Sequence, residues 1–217
     1  MESASPAATT FTILNAGSST ASIALNFFDD SGVPLQLPLI FPQGSPNQTT
    51  ATFTGSVKSG AGLVIQTAGL NNPLATGWAQ LLSDGDVSGF AVFTDNVTAR
   101  QQQQAVVPLQ SLHSSAYELW FDNTNGFATG VALANESTAP ATMTLVIRDD
   151  TGAQIATQTI QLPAQGHTAF ALATNYPMTA NRRGTVEFSE PADGQVSVLG
   201  LSFNPASAFT SIPAVPQ

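Results

Sequence analysis

The chain of 217 residues contains no cysteine and few charged residues. Without cysteine it can form neither a disulfide scaffold nor a thiolate-ligated metal site. Its five Lys and Arg stand against 14 Asp and Glu, which gives a net charge of −9. Nucleic-acid binding normally requires a basic surface. We therefore expect no nucleic-acid partner.

Long hydrophobic runs are also missing. No stretch approaches the roughly 18 apolar residues of a membrane-spanning helix, so we expect no membrane insertion. The first residues, 1–6, lack the basic and apolar regions of a secretory signal. The low charge and the high content of Thr, Ser, Gln and Asn are nevertheless typical of an extracellular bacterial β-protein. We expect an extracellular or cell-surface location, with a signal upstream of this chain.

What the sequence does contain is alternation of apolar and polar residues over strand-length segments. In residues 21–27 the odd positions are apolar, and Met143, Leu145 and Ile147 repeat that spacing. A period of two indicates a strand with one buried face. Gly, Pro, Asn and Asp interrupt the chain at short intervals, as turns do. The pattern predicts an all-β fold built from antiparallel β-sandwiches.

The chain also repeats itself. Asn15 and Asp29 recur 120 residues later as Asn135 and Asp149, and Gly77 recurs 107 residues later as Gly184. We therefore predict two copies of one β-sandwich, at 1–110 and 116–217, joined by a linker at 111–115. The falling offset predicts about 13 extra residues in the first copy. We place them in an added hairpin near residues 53–72.

The repeat predicts that the first copy is short of one strand. The second copy opens with Tyr117-Glu118-Leu119-Trp120-Phe121, and the corresponding positions in the first copy fall before residue 2. An absent edge strand leaves unpaired backbone and an apolar groove, which proteins have to cover. We therefore expect strand complementation, in which the first copy accepts a strand from another subunit.

Several short motifs carry a resemblance to known proteins. They are the Leu-x-Asn step ending at Asn135, the Asp-Asp-[Ser/Thr]-Gly hairpins, Gly77-Trp78-Ala79-Gln80, Leu199-Gly200-Leu201-Ser202-Phe203-Asn204 and Ala208-Phe209-Thr210-Ser211-Ile212-Pro213. With these motifs the chain resembles tandem Ig-like β-sandwich modules of secreted and cell-surface proteins from environmental bacteria. The resemblance implies an extracellular scaffold, adhesion or stalk role. It transfers no catalytic residue, and it implies a strand before the Leu-x-Asn step.

Four aromatic residues are the best candidates for ligand binding, because exposed rings can stack on sugars: Trp78, Tyr117, Trp120 and Phe121. The alternative for Trp78 is a place in the core of its alternating strand. In residues 119–121 adjacent bulky side chains point to opposite faces. One of them must face away from its own core, either packed between the copies, which we favour, or exposed to a partner.

The acidic pairs Asp29-Asp30 and Asp149-Asp150 are interpreted as hairpin turns, in which Asp accepts local hydrogen bonds and Gly supplies a positive φ. Calcium binding is the alternative for clustered carboxylates. We assign no metal site, no cofactor and no catalytic residue.

The sequence therefore favours a non-enzymatic extracellular structural or adhesive protein that assembles by β-strand addition. The expected partners are the protein itself or an extracellular polysaccharide. Two alternatives remain open: a carbohydrate-binding accessory module, and a hydrolase that uses carboxylates between the two domains. The paired acids Glu187 and Glu190 suit glycoside hydrolysis, and a solvent-facing position near a strand end explains them equally well.

Overall fold

The structure is a computed structural model that describes residues 7–69, 75–95, 103–110, 114–190, 195–206 and 208–217. Its regular structure is almost entirely strand, and every pairing between its strands is antiparallel. The alternating pattern accounts for this, because each strand buries one face. The predicted all-β sandwich fold is confirmed. Within the described ranges, no helix is long and apolar enough to span a membrane.

Contacts within the chain divide it into two compact units. Unit 1 comprises Met1–Asp29 and Val33–Ser111, and unit 2 comprises Asp30–Gly32 and Leu112–Gln217. Within the predicted linker, residues 111–113 lie outside the described residues.

Unit 1 contains two sheets with a core between them. Its strands are β1 (Ala8–Asn15), β2 (Ala21–Phe28), β3 (Leu37–Ile40), β4 (Gln48–Thr50), β5 (Thr52–Val57), β6 (Gly62–Thr67), β7 (Trp78–Ser83), β8 (Val87–Asp95) and β9 (Gln103–Pro108). One sheet has the order β4-β3-β6-β1-β8-β9, and the other has the order β5-β2-β7. Buried side chains from both sheets meet in one cluster, which includes Ile13, Leu25, Phe27 and Ile65.

Unit 2 has the same two-layer design. Its elements are β10 (Ala116–Asp122), β11 (Ala128–Asn135), β12 (Ala141–Asp149), β13 (Gln154–Leu162), β14 (His167–Ala171), α1 (Leu172–Asn175), β15 (Arg183–Ser189), β16 (Val196–Phe203), β17 (Phe209–Pro213) and β18 (Val215–Pro216), with a 3-10 turn at Pro177–Thr179. The sheets have the orders β14-β11-β16-β17 and β13-β12-β15-β10-β18. Their inner faces form a second cluster, which includes Leu133, Leu145 and Phe188.

The two units share one pairing scheme. Leu25 of β2 lies opposite Leu81 of β7, and the residues 120 and 107 positions later, Leu145 and Phe188, lie opposite each other in β12 and β15. β1 and β8 likewise pair as β11 and β16 do. The repeat in the sequence is therefore also a repeat of strand register.

The extra hairpin of unit 1 is β3–β4, and its predicted position near residues 53–72 is wrong. Ala21 pairs with Val57, while Ala141 pairs with Leu162, so the offset between the units falls from 120 to 105 across this segment. The insertion is therefore 15 residues long and lies before β5. Leu63 belongs to β6, which corresponds to β14. The sequence offers no matching motif between Asp29 and Gly77, so the repeat alone could not locate the insertion.

The Leu-x-Asn step is a buried hydrogen-bonding anchor. The Nδ2 group of Asn135 donates to the carbonyl oxygens of Ala139 at 2.8 Å and Pro163 at 2.9 Å, and its Oδ1 accepts the N–H of Ser137 at 3.0 Å. Asn15 makes the same set of bonds in unit 1, with the backbone of Ser19, Val57 and Gly17. Each asparagine thus joins the end of one strand to the connection that follows it and to the opposite layer.

Candidate functional site

Strand β7 is held closely against β2 by a glycine and a tryptophan. A Cβ atom at Gly77 would collide with the carbonyl oxygen of Phe28, and one at Gly184 would collide in the same way with that of Arg148. The next residue, Trp78, stacks on Phe28 with the ring centroids 5.2 Å apart. Trp78 is partly buried and lies on the face of β7 opposite to Ala79 and Leu81, which pack against the core. Its ring therefore packs on Phe28 at the outer face of the sheet, and the core alternative for Trp78 is wrong.

The other side of β7 is an open edge. In unit 2 the corresponding strand, β15, lies between β12 and β10, whereas β7 ends the sheet β5-β2-β7 in the described part of the chain. Neither β10 nor β18 has a counterpart among the described strands of unit 1. We call residues 79–83 the β7 edge. An edge of this kind presents backbone N–H and C=O groups that can pair with a further strand.

The core of unit 1 is less enclosed beside this edge. Three side chains of β10 fill the corresponding space in unit 2: Tyr117, Leu119 and Phe121. Beneath them, Val186 and Phe188 of β15 are completely buried. The matching residues of β7, Ala79 and Leu81, are only partly buried. The difference matches the presence of β10 in unit 2, since the described part of unit 1 has no strand at that position.

The facing sheet shows the same difference. Val131 of β11 and Val196 of β16 are buried in unit 2. Their counterparts in unit 1, Phe11 of β1 and Val87 of β8, pack against the core but remain partly exposed. Apolar side chains from both layers of unit 1 are thus incompletely covered.

Unit 2 supplies the register for a strand at this edge. Leu119 lies opposite Val186, which corresponds to Ala79, and Tyr117 lies opposite Phe188, which corresponds to Leu81. A strand that runs antiparallel to β7 in this register directs alternate side chains into the core of unit 1.

The space available is not identical in the two units. Gly200 of β16 makes room for Leu119, because a Cβ atom there would lie 2.5 Å from Leu119 Cδ1. The pairing of Val131 with Gly200 corresponds to that of Phe11 with Ala91. Unit 1 therefore has a methyl group where unit 2 has none. We therefore expect a strand at the β7 edge to favour a side chain smaller than leucine opposite Ala79. The sequence shows Gly200 and Ala91, but only the contact between Gly200 and Leu119 shows that the two residues leave different amounts of space for a neighbouring strand.

Two of the four aromatic candidates are corrected by the structure. Tyr117 and Phe121 are buried in the core of unit 2, and the Tyr117 hydroxyl accepts the N–H of Ser114 at 2.9 Å. Neither ring is accessible for stacking on a ligand, because odd-numbered residues of β10 face inward. Trp120 is 47% exposed on the outer face. It is the residue of the Leu-Trp-Phe run that faces away from the core.

The acidic pairs lie at hairpin turns, as interpreted. Oδ1 of Asp149 accepts the N–H and the hydroxyl of Thr151 and the N–H of Ala153. These hydrogen bonds from Thr151 and Ala153 hold the pKa of Asp149 below its ordinary value. Asp29 accepts the N–H of Val33 in the first hairpin, and Gly32 and Gly152 have positive φ angles.

Carboxylates elsewhere in unit 2 are also engaged. Glu187 accepts a hydrogen bond from Arg148 at 2.9 Å, and Glu190 accepts the N–H of Gln195 at 3.2 Å. In the portions of the chain that the structure describes, no cluster of three or more His, Asp or Glu side chains is arranged to hold a metal ion.

Comparison with known proteins gave no match to a family model, to a curated protein or to a solved structure. The case for function therefore depends on the comparison between the two units of this chain.

Proposed function

We propose that this protein is a non-enzymatic structural or adhesive β-sandwich protein of the cell exterior, which assembles by accepting an extended strand at the β7 edge. The observation that carries the proposal is the open edge beside Ala79 and Leu81, at the position that β10 occupies in unit 2. The low proportion of charged residues supports the extracellular location.

Strand addition at this edge would both pair the backbone groups of β7 and cover apolar side chains. Main-chain hydrogen bonds extend the sheet β5-β2-β7, and alternate side chains cover the partly exposed core. Burying one side chain of the Leu or Phe class stabilises a complex by about 1.5–3 kcal/mol. A strand with two or three such residues in the register of β10 therefore has a substantial driving force to bind.

The donor is expected to be an extended segment of another subunit. A strand that passes from one subunit into the next joins two different surfaces, so the contact is heterologous and repeats into a linear assembly. Such an assembly suits a structural or adhesive role.

A labelled peptide tests the proposal on the full chain. The peptide has the sequence of residues 115–123 with Leu119→Ala, so that it fits beside Ala91. We expect saturable binding by fluorescence anisotropy, together with slower amide hydrogen exchange at residues 79–83. A control peptide that also carries Tyr117→Ser and Phe121→Ser should not bind, because it cannot cover the core.

Two variants of the same strand locate the binding. Ala79→Lys places a charge on the inward face of the edge, a device that blocks strand addition, and should abolish peptide binding. Leu82→Lys adds the same charge at an outward position, since Leu82 is 51% exposed, and should leave binding intact. Absence of saturable binding, or equal binding by both variants, would contradict the proposal.

A further inference from the structure

The outer face of the sheet β13-β12-β15-β10-β18 carries an exposed tryptophan in a polar setting. Trp120 lies near the middle of β10, opposite Thr185 of β15. Its neighbours on the same face of β10 are Glu118 and Asp122, because residues two apart point to the same side of a strand. The inward residues Leu119 and Phe121 are fully buried, so the exposure of Trp120 is not needed to complete the core of unit 2.

Two ion pairs lie on the same face of the sheet as the indole ring of Trp120. Arg183 Nε donates to Asp122 Oδ2 at 2.7 Å, and Arg148 Nη1 donates to Glu187 Oε2 at 2.9 Å. Thr185 lies between them, since it is the ladder partner of both Trp120 and Arg148. Each pair combines one positive and one negative group, and Glu118, which accepts a hydrogen bond from Gln217, adds one negative charge to this face.

The Asp122 carboxylate is fixed in position. Its Oδ1 atom accepts the N–H of Thr124 at 2.9 Å and the Thr124 hydroxyl at 2.7 Å. Burial acts to raise its pKa, but the hydrogen bonds from Thr124 and the pairing with Arg183 outweigh it and lower the pKa. The group is therefore a charged acceptor with a defined orientation.

A polar cleft continues from the Asp122–Arg183 pair. It has a volume of about 240 Å³ and is lined by Thr124, Asp149, Asp150, Asn181, Arg182 and Arg183. Arg183 belongs both to this cleft and to the ion pair beside Trp120. Asp122 lies two residues along the strand from Trp120, which is about 7 Å. A ligand that stacks on the indole can therefore also reach the carboxylate, the guanidinium and the cleft.

We propose that this face, formed by Trp120, Asp122, Arg183 and the adjoining cleft, binds a neutral polysaccharide. One sugar ring stacks its C–H face on the indole of Trp120, and its hydroxyl groups bond to the Asp122–Arg183 pair. A neighbouring ring enters the cleft. The Nη groups of Arg183 can donate to sugar hydroxyls, and Asp122 Oδ2, which accepts one hydrogen bond from Arg183 Nε, has the capacity to accept another.

The surroundings favour a neutral sugar over two other ligands. An anionic chain would meet a protein with a net charge of −9, which disfavours its approach. A protein partner usually buries its anchoring Trp within a larger, water-excluding apolar patch. The neighbours of Trp120 on this face are instead Glu118, Asp122 and Thr185, which leave an amphipathic ring among polar groups.

Affinity electrophoresis of the full chain tests this inference. Native gels contain hydroxyethyl cellulose, galactomannan or dextran as neutral probes, or alginate as the anionic probe. We expect at least one neutral polysaccharide to retard the protein. Trp120→Ala should weaken the retardation at least tenfold, and Trp120→Tyr should retain part of it. The matched control is Phe90→Ala, which removes an aromatic side chain that is 39% exposed on β8 and should not change the retardation.

Each other outcome would overturn the inference. Those outcomes are no retardation by any neutral probe, retardation by alginate alone, or equal retardation of the wild type and Trp120→Ala. Sedimentation in the absence of polysaccharide adds one more arm: self-association that depends on Trp120, without retardation by a neutral probe, would assign the face to a second copy. The β7 edge is not part of this surface, so the peptide experiment and the gel experiment can fail independently.

Discussion

Single buried polar residues determine how the connections are held in both units. Asn15 and Asn135 are almost completely buried, and each side chain makes three hydrogen bonds to backbone groups. A buried polar group that loses its partner costs more than an exposed one, because no water replaces the lost bond. These asparagines are therefore sites where one substitution should destabilise one unit.

We expect Asn135→Ala to lower the free energy of unfolding of unit 2 by about 1–3 kcal/mol, because the N–H of Ser137 and the carbonyl oxygen of Ala139 lose their bonds to Asn135 and the carbonyl oxygen of Pro163 keeps only the N–H of Gly166. The chain has two tryptophans, Trp78 in unit 1 and Trp120 in unit 2. In a Trp78→Phe background, urea unfolding followed by fluorescence reports on unit 2. Thr142→Ala removes an exposed hydrogen bond to Gln161 and should cost less than about 0.5 kcal/mol. Equal losses for the two variants would show that the asparagine is not an anchor.

Acidic residues should make the fold sensitive to low pH. Hydrogen bonds from Ser22 lower the pKa of Asp84, those from Thr151 lower the pKa of Asp149, and the pKa of Asp122 is lowered despite its partial burial. Each depressed pKa adds stability that is present above the ordinary value of 3.8 and is lost as the pH falls through the lower, folded-state value.

The melting temperature should therefore fall as the pH decreases below 3.8. Asp122→Asn should flatten this dependence, because it removes one group that takes up a proton on unfolding in that range. Thermal melts between pH 2 and 6 (a window spanning about two pH units on either side of the ordinary Asp value) measure the effect. A variant with the same pH dependence as the wild type would refute the role of Asp122.

At the scale of strands, β10 explains the main difference between the units. It fills a position beside β15 that is open beside β7. The two positions differ in one detail, since Gly200 admits Leu119 and the corresponding Ala91 occupies that space. The β7 edge should therefore select its strand by side-chain size as well as by alternation.

Changing the side-chain size at residue 119 of the peptide and at residue 91 of the protein tests this selectivity. The wild-type peptide of residues 115–123 should bind the full chain about five- to 150-fold more weakly than its Leu119→Ala form, because overpacking of a core costs about 1–3 kcal/mol. In an Ala91→Gly protein the preference should shrink or reverse. Anisotropy titrations of both peptides against both proteins complete the cycle. Additive effects of the two changes would mean that Leu119 and Ala91 do not meet.

At the scale of the whole molecule, the two units have the same plan but unequal completeness. The core of unit 2 includes three residues from β10, and the described part of unit 1 has no equivalent strand. Hydrophobic stabilisation is roughly proportional to the apolar area that is removed from water. The insertion β3–β4 extends the larger sheet of unit 1. It does not extend the sheet that contains β7, so it does not cover the β7 edge.

We therefore expect unit 1 to unfold at a lower urea concentration than unit 2, with Trp78 and Trp120 as the separate reporters. The Leu119→Ala peptide, made with Trp120→Phe so that its own tryptophan does not obscure the reporters, should raise the free energy of unfolding of unit 1 alone. The expected gain is about 2.7 kcal/mol when the free peptide concentration is 100 times the Kd, and the urea midpoint of unit 1 should rise with it. The position beside β15 is already filled, so unit 2 should not respond. If the peptide shifts both midpoints equally, its effect does not come from binding at the β7 edge.

Much of this architecture could be predicted from local patterns. Alternation in residues 21–27 and 141–147 predicted strands, and the recurrence of Asn135 and Asp149 predicted matching segments. The pattern also predicts a strand at 117–121, which the structure has as part of β10. These features depend on residues close in the chain, since a period of two and a turn motif are set by neighbouring backbone angles and side chains.

Other features depend on residues far apart in the chain. Local patterns were enough to predict that strands form and where many turns lie. The packing of the layers was needed to show that the insertion is β3–β4, that Trp120 rather than Tyr117 or Phe121 faces outward, and that Ala91 stands where Gly200 makes room for Leu119. The physical reason is that strand order and packed volume arise from contacts between layers, which a local alternation does not encode.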